Sequence, residues 1–207
     1  MADLTHFNMQ PLQMDPQSKA ISVAPNTKAP RALAAELEQL NLLHRAIITT
    51  TDAVSQHGVP LPPIPVNPKR SANVTKLRDN ANAEYRKGRY AEAQKLYTLG
   101  IQMAETRPLW EPSQLAREEL AGLYANRAQA HMALQQWPEG ALDAEASVEI
   151  KRVGNAKAWW RRAKSLMEMG RLEESRDWIK KGLEVEGEDS DMAALLSDIT
   201  SKMGSPV

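Results

Sequence analysis

Two cationic side chains, Lys157 and Arg161, lie four residues apart in a stretch that also contains two adjacent tryptophans. The stretch, Asn155–Gly170, has apolar residues at helical spacing and ends at a glycine, which predicts a single helix. Residues four apart share one face of a helix and are about 6 Å apart along its axis. Such a face suits an anion bound beside an apolar surface, although an isolated pair of this kind is more often a solvated basic face.

Two earlier helical stretches offer matching polar side chains. Arg78 and Asn82 are again four residues apart, and Asn126 lies in a later helix. Lysine and arginine supply charge, the planar arginine fork fits a carboxylate, and asparagine adds amide donors that also bond a peptide backbone. These residues together predict a binding site for a carboxylate: Arg78, Asn82, Asn126, Lys157 and Arg161.

No other chemistry has a comparable set of residues. The four histidines lie in separate elements without metal-ligand spacing, and no serine or carboxylate pair has an evident general base. Glycine-rich phosphate loops are absent from the sequence. The lack of cysteine excludes disulfides and thiolate chemistry and fits a reducing compartment. We therefore expect no enzymatic activity, no cofactor and no metal.

The overall composition restricts the partners. The 207 residues contain 26 basic and 26 acidic side chains, so no net field attracts the chain to nucleic acid or to an anionic membrane. Residues 1–20 do not have the pattern of a secretory signal, and no apolar run approaches the length of a membrane span, about 18 residues. We expect neither nucleic-acid binding nor direct membrane insertion.

Residues 1–57 predict a small module that docks to a partner. Two short runs of alternating polarity within residues 9–23 flank Asp15-Pro16-Gln17-Ser18, a turn sequence with proline at its second position. Residues 30–48 follow with an apolar stripe that is typical of an amphipathic helix. A two-stranded hairpin is marginal by itself in water, so this module needs a further surface to pack against.

A proline-rich segment follows the module. Five prolines fall within the eleven residues Gly58–Pro68, which excludes a helix there and is typical of a semi-rigid, extended chain. We predict a linker over residues 58–72 and a helical domain over residues 73–203, with Asn73 capping its first helix and Ser113 capping a later one.

The helical domain contains three similar copies of one pattern. Each copy has a turn residue, a large apolar residue two positions later and a small residue five positions later. The copies begin at Gly88, Gln135 and Gly170, so the second and third are 35 residues apart, whereas an insertion after the first lengthens that interval to 47. The shorter interval is close to the tetratricopeptide period of about 34 residues.

This pattern resembles the tetratricopeptide-repeat family. The resemblance implies a mainly α fold in which three helix pairs stack into a solenoid and a final helix caps the stack. The first helix of each pair would line a concave groove, and alignment of the copies directs the five predicted site residues towards it. The predicted repeats and cap are residues 74–106, 113–150, 155–185 and 189–202.

The five residues are similar to the dicarboxylate clamp of chaperone-binding tetratricopeptide domains. In that family, cationic and asparagine pairs grip the C-terminal carboxylate and the last aspartate side chain of a Glu-Glu-Val-Asp tail. The family usually has lysine where this chain has Arg78, a change that keeps the charge. Tyr85 and Gln129 are candidates either for the pocket of the penultimate valine or for ordinary groove residues, and Trp160 is a candidate for the groove edge. The other tryptophans are assigned to packing: Trp110, Trp137, Trp159 and Trp178.

The N-terminal module and the insertion sequence Arg107-Pro-Leu-Trp-Glu resemble the small cytosolic tetratricopeptide subunit of the fungal Sec translocation complex. The resemblance implies an adaptor on the cytosolic face of the endoplasmic reticulum, held by a small single-span membrane subunit that binds residues 1–57. Its groove would bind the tails of cytosolic heat-shock chaperones, of the seventy-kilodalton class or alternatively the ninety-kilodalton class.

Two other functions remain open from the sequence. A free soluble co-chaperone that regulates a heat-shock chaperone without a membrane partner would have the same groove. A scaffold for an unrelated acidic C-terminus would also have it. A membrane subunit that co-purifies with residues 1–57 would distinguish the translocation adaptor from the free co-chaperone.

Overall fold

The structure is a computed structural model, and it describes residues 9–28, 30–50, 66, 68–107 and 111–204, without the side chains of residues 46–50. The chain divides into two compact units, residues 1–65 and residues 66–207. Most of the predicted proline-rich linker therefore lies outside the described residues.

The first unit contains an antiparallel hairpin and one helix. Strands β1 (Leu12–Met14) and β2 (Ile21–Val23) pair with Leu12 opposite Val23. The carboxylate of Asp15 accepts hydrogen bonds from the backbone of the turn, and the bond from Ser18 is the main reason that its pKa is lowered. Helix α1 (Arg31–Thr50) packs against β2, where the side-chain amide of Asn41 bonds both the backbone N–H and the carbonyl of Ile21 at 2.8 Å.

The second unit is a stack of helices, each packed against the next. Within the part of the chain that the structure describes, these helices are α2 (Lys69–Arg86), α3 (Tyr90–Glu105), α4 (Ser113–Ala133), α5 (Trp137–Ile150), α6 (Ala156–Glu168), α7 (Leu172–Glu186) and α8 (Ser190–Gly204). The predicted fold class, a mainly helical repeat solenoid that follows a small N-terminal hairpin and helix, is confirmed.

Two helix starts differ from the prediction. Helix α2 begins at Lys69, directly after Pro68, so the last four residues of the predicted linker are helical and Asn73 does not cap the helix. The sequence Lys-Arg-Ser-Ala is compatible with a helix, and a proline disturbs only the turn that precedes it. Ser113 is the first residue of α4 rather than its cap, and no side chain bonds the free amides at that end.

Small residues allow the paired helices to approach closely. Ala81, Ala128 and Ala163 occupy equivalent positions in the three first helices, and each is completely buried. In the third pair, a Cβ on Gly182 would lie 3.2 Å from the Trp159 side chain. The indole of Trp159 is buried in the core, where it packs against the tilted ring of Trp178 with 4.5 Å between ring centroids.

The three pairs turn through the same left-handed residue. Gly88 and Gly170 have φ of 77° and 76°, and Gln135 adopts φ of 58° at the equivalent position of the second copy. In each copy, the backbone N–H of the following residue donates a hydrogen bond of 2.9 to 3.0 Å to the carbonyl five residues earlier, in the last turn of the preceding helix. Glutamine therefore occupies a conformation that favours glycine.

Replacing Gln135 with glycine should raise the free energy of unfolding by up to about 1 kcal/mol, because glycine adopts this conformation without the Cβ penalty. Urea denaturation measured by circular dichroism tests this directly. The matched control is Gly170→Gln, which should destabilise by a similar amount. A Gln135→Gly variant that is less stable than the parent would contradict the argument.

The insertion between α3 and α4 is fixed to the stack by a buried arginine. Arg107 bonds Glu119 at 2.6 and 2.8 Å, donates to the Ser71 hydroxyl at 2.9 Å and forms an ion pair with Glu111. These contacts join the insertion to the first turn of α2 and the second turn of α4. The predicted packing of Trp110 lies outside the described residues.

Candidate functional site

The first helices of the three pairs form one continuous wall. Helix α2 contacts α4, α4 contacts α6, and α6 contacts α8. A cavity of about 620 Å³ lies along this wall. All five residues of the predicted carboxylate site line it: Arg78, Asn82, Asn126, Lys157 and Arg161.

The two asparagines are linked to each other and to a tyrosine behind them. Oδ1 of Asn82 accepts a 2.6 Å hydrogen bond from the hydroxyl of Tyr97 and a 3.2 Å bond from Nδ2 of Asn126. Tyr97 belongs to α3 and is buried, and this burial raises its pKa to about 12. The hydroxyl is therefore protonated at neutral pH and remains a donor.

Arg161 is oriented by neutral acceptors. Its Nε donates to Oε1 of Gln129 and its Nη1 donates to the carbonyl of Ala125, both at 2.8 Å. A guanidinium has five N–H donors, so several remain for a ligand. Among the described residues, no carboxylate forms an ion pair with Arg161.

The electrostatic environment of Arg161 disfavours an unpaired charge. Burial lowers its pKa, and the nearby phenols of Tyr85 and Tyr97 only partly offset this effect. Arginine nevertheless keeps its proton in proteins. The groove thus contains a desolvated cation whose charge is not neutralised within the described chain, and a bound anion would reverse the unfavourable shift.

The remaining charges of the cavity are mostly paired. Arg78 contacts Asp79 at 3.4 Å in a largely exposed ion pair, which contributes little by itself. Glu186 accepts hydrogen bonds from the backbone N–H groups of Gly154 and Asn155, just before α6. Lys157 makes no hydrogen bond or ion pair within the described part of the chain. Lys157 and Arg161 are therefore the cavity cations that no carboxylate of the described residues neutralises, while Arg78 stays accessible to a ligand through its weak, exposed ion pair.

A second cavity, of about 660 Å³, adjoins the first along α6. Ala156, Lys157 and Arg161 line both cavities. Trp160 and Leu195 of α8 supply apolar surface to the second cavity. Trp160 thus offers apolar surface beside Lys157 and Arg161, and its contact with a ligand stays a prediction.

The candidates for the valine pocket occupy different positions. Gln129 lines the second cavity and orients Arg161, so its role is partly structural. Tyr85 packs against Tyr90 with 5.0 Å between ring centroids and is absent from the linings of both cavities described above. Their contact with a ligand stays a prediction.

Three features of the groove were missed from the sequence. Tyr97 occupies a buried position of a second helix, where the other two copies have apolar residues. The Ala125 carbonyl belongs to the backbone, so no residue type in the sequence indicates that it accepts a hydrogen bond from Arg161. Glu186 is 31 residues from Asn155 along the chain, and only the fold brings them together.

The groove can bind an anion but has no evident reactive group. No cluster of histidine, aspartate or glutamate suited to a metal occurs among the described residues. None of the described helices combines the length and the apolar character that a bilayer crossing requires.

Comparison with solved structures defines the class of fold. The second tetratricopeptide domain of human RPAP3, solved in complex with the HSP70 peptide SGPTIEEVD, superposes on 63% of this chain and 98% of its own with a TM-score of 0.53 and 24% identity. The described helices thus have the fold of a tetratricopeptide-repeat domain. No family model matches the sequence.

The chain is also similar to a translocation subunit. The chain is 41% identical over 124 residues to the ER protein translocation subcomplex subunit sec67 of Schizosaccharomyces pombe. The aligned residues make up 60% of this chain and 64% of sec67, which is just under two thirds of that protein. A chain of the Sec complex of S. cerevisiae superposes on 93% of this chain and 97% of its own, with a TM-score of 0.65 and 22% identity. The resemblance indicated by the sequence is therefore confirmed.

Proposed function

We propose that this protein is a non-enzymatic adaptor of the post-translational translocation complex at the endoplasmic reticulum. Its groove binds the C-terminal Glu-Glu-Val-Asp tail of cytosolic heat-shock chaperones, with the seventy-kilodalton class as the principal partner. The chain is held at the cytosolic face of the membrane through a partner subunit, and it thereby brings chaperone-bound precursors to the channel.

The unneutralised charge of Arg161 is the observation that carries this proposal. A cation that is desolvated in the folded chain gains most from a ligand that supplies a carboxylate, because charge-assisted hydrogen bonds are the strong ones. Lys157 provides a second charge in the same cavity, and the two asparagines provide amides. A terminal aspartate presents two carboxylates, which matches donors on both sides of the cavity.

The likeness to RPAP3 supports the choice of ligand, since that domain was solved with a tail that ends in Glu-Glu-Val-Asp. The likeness to the Sec complex chain supports the choice of location. It spans 93% of this chain, whereas the repeat domain of RPAP3 spans 63%. The additional coverage favours a role in that complex over a free co-chaperone.

The first unit has the surface expected of a docking module. Every residue of β1 is exposed, with Leu12 51% and Met14 60% accessible. On α1, Leu37 is buried whereas Leu40, on the predicted apolar stripe, is 50% exposed. These exposed apolar side chains support a protein contact at the hairpin and α1. We assign it to the single-span membrane subunit, with residues 1–57 as the binding segment.

Amidation of the ligand provides the direct test of the groove. Titration calorimetry with the peptide SGPTIEEVD should give clear binding, and the C-terminal amide of the same peptide should bind at least about tenfold more weakly, a difference of about 1.4 kcal/mol. The amide loses the charge that Arg161 and Lys157 are proposed to contact. Equal affinity for the acid and the amide would mean that the groove is not a carboxylate site.

Purification of the tagged full chain from detergent-solubilised membranes tests the adaptor role. We expect both a single-span subunit of the translocation complex and a heat-shock chaperone among the bound proteins. Recovery of the chaperone alone would favour the free co-chaperone, and recovery of neither would favour a scaffold for another acidic tail.

A further inference from the structure

A tyrosine reaches the groove from the second layer of helices. Tyr97 lies on α3 with 2% of its surface exposed, and its hydroxyl donates a 2.6 Å hydrogen bond to Oδ1 of Asn82. Tyr97 itself does not line the cavity. The equivalent residues of the other two copies, Ala144 and Ile179, are apolar and also completely buried. Packing therefore does not require a hydroxyl at this position, and only the copy that contains Asn82 has one.

The hydrogen bonds determine which way the Asn82 amide faces. An amide oxygen accepts two hydrogen bonds, and both positions are filled by Tyr97 and Asn126. Nδ2 is thereby left to face the cavity that Asn82 lines. In the reversed orientation Nδ2 would meet the buried Tyr97 hydroxyl, whose proton would lose the acceptor that it has in this structure.

We propose that Tyr97 is a positioning residue, whose hydroxyl holds the Asn82 amide with Nδ2 facing the groove as a donor to the ligand carboxylate. This inference rests on the proposed function, because that function supplies the carboxylate. Tyr97 acts only through Asn82, and its own contribution is the fixed orientation of a donor that would otherwise rotate.

The test uses the full chain and the peptide SGPTIEEVD. Tyr97→Phe keeps the buried ring and removes only the hydroxyl, so affinity for the free acid should fall about fivefold. Tyr124→Phe is the matched control: it also removes a hydroxyl, which bonds Glu105 at 3.0 Å and lies outside the groove lining. The control should bind the peptide like the parent. An unchanged affinity of Tyr97→Phe would overturn the positioning role.

A double-mutant cycle distinguishes positioning from a general structural effect. In an Asn82→Ala background, Tyr97→Phe should cause no further loss of affinity, because the amide it orients is gone. Losses that add in the double variant would show that Tyr97 acts by another route, which would overturn the proposal. Melting midpoints measured for each variant keep stability separate from binding.

Measurement on the unaltered chain keeps the proposal testable if Tyr97→Phe folds poorly. Binding of the free-acid peptide should shift the side-chain amide resonances of Asn82 in nitrogen–proton NMR spectra, and unshifted resonances would overturn the role. Equal binding of acid and amide by the unaltered chain would remove both the proposed function and this inference. A preference for the acid that Tyr97→Phe leaves intact would remove the inference alone.

Discussion

Replacing Arg161 with glutamate is expected to reduce affinity for a free-acid Glu-Glu-Val-Asp peptide by about a hundredfold or more. The guanidinium lies in the cavity with donors still available beyond its bonds to Gln129 and the Ala125 carbonyl. Each charge-assisted hydrogen bond contributes about 1.5–3 kcal/mol, and reversal also sets a carboxylate against the carboxylate of the ligand. Arg161→Ala and Lys157→Ala remove attraction without adding repulsion, so each should weaken binding of the free-acid peptide about tenfold.

Matched cations on α7 provide the controls. Arg176→Ala and Lys180→Ala remove the same charges from residues that do not line either groove cavity. Titration calorimetry should give these controls the affinity of the parent, while circular dichroism verifies that every variant is folded. If Arg161→Glu bound the free acid as well as Arg176→Ala does, the assignment of Arg161 to the ligand carboxylate would be wrong.

The positions of the groove side chains could be predicted because helical spacing shows which residues share a face, and alignment of the repeats shows which faces line the groove. Lys157 and Arg161 share a face of α6 by arithmetic alone, and alignment with Asn126 places them on the same wall. Their bonding could not be predicted. The orientation of Arg161 depends on a backbone carbonyl of α4, 36 residues earlier in the chain, and a periodic pattern contains no information on such a contact.

The fold could also be predicted in large part, and the structure differs from the prediction where a local sequence signal was ambiguous. Prolines indicated an extended segment through residue 72, but Pro68 is the last of them and α2 begins directly after it. Gln135 departs from glycine in the sequence, yet the turn keeps the same geometry, because the packing of the helix pairs determines the backbone and the side chain tolerates it. Stacking interactions outweighed residue preference only at Gln135, whereas the start of α2 follows from the helix-compatible residues after Pro68.

Deletion of residues 1–57 is expected to abolish recovery of the membrane subunit and to leave peptide binding within about twofold of the full chain. Both apolar core clusters of the repeat domain are built from residues between 74 and 203, so the deletion removes none of their members. The exposed apolar residues of the hairpin and α1 are lost, and with them the surface assigned to the partner.

A point variant of the full chain separates loss of this surface from loss of the whole segment. Leu12→Ser combined with Met14→Ser should weaken recovery of the membrane subunit, because both residues are exposed on β1 and each substitution removes apolar area from the proposed interface. Gln13→Ser, on the same strand, is the control and should retain the subunit. Affinity purification from solubilised membranes measures all three, with peptide titration as the measure of an intact groove. If the deleted chain retained the membrane subunit at full strength, docking by residues 1–57 would be wrong, and the partner would have to bind within residues 58–207.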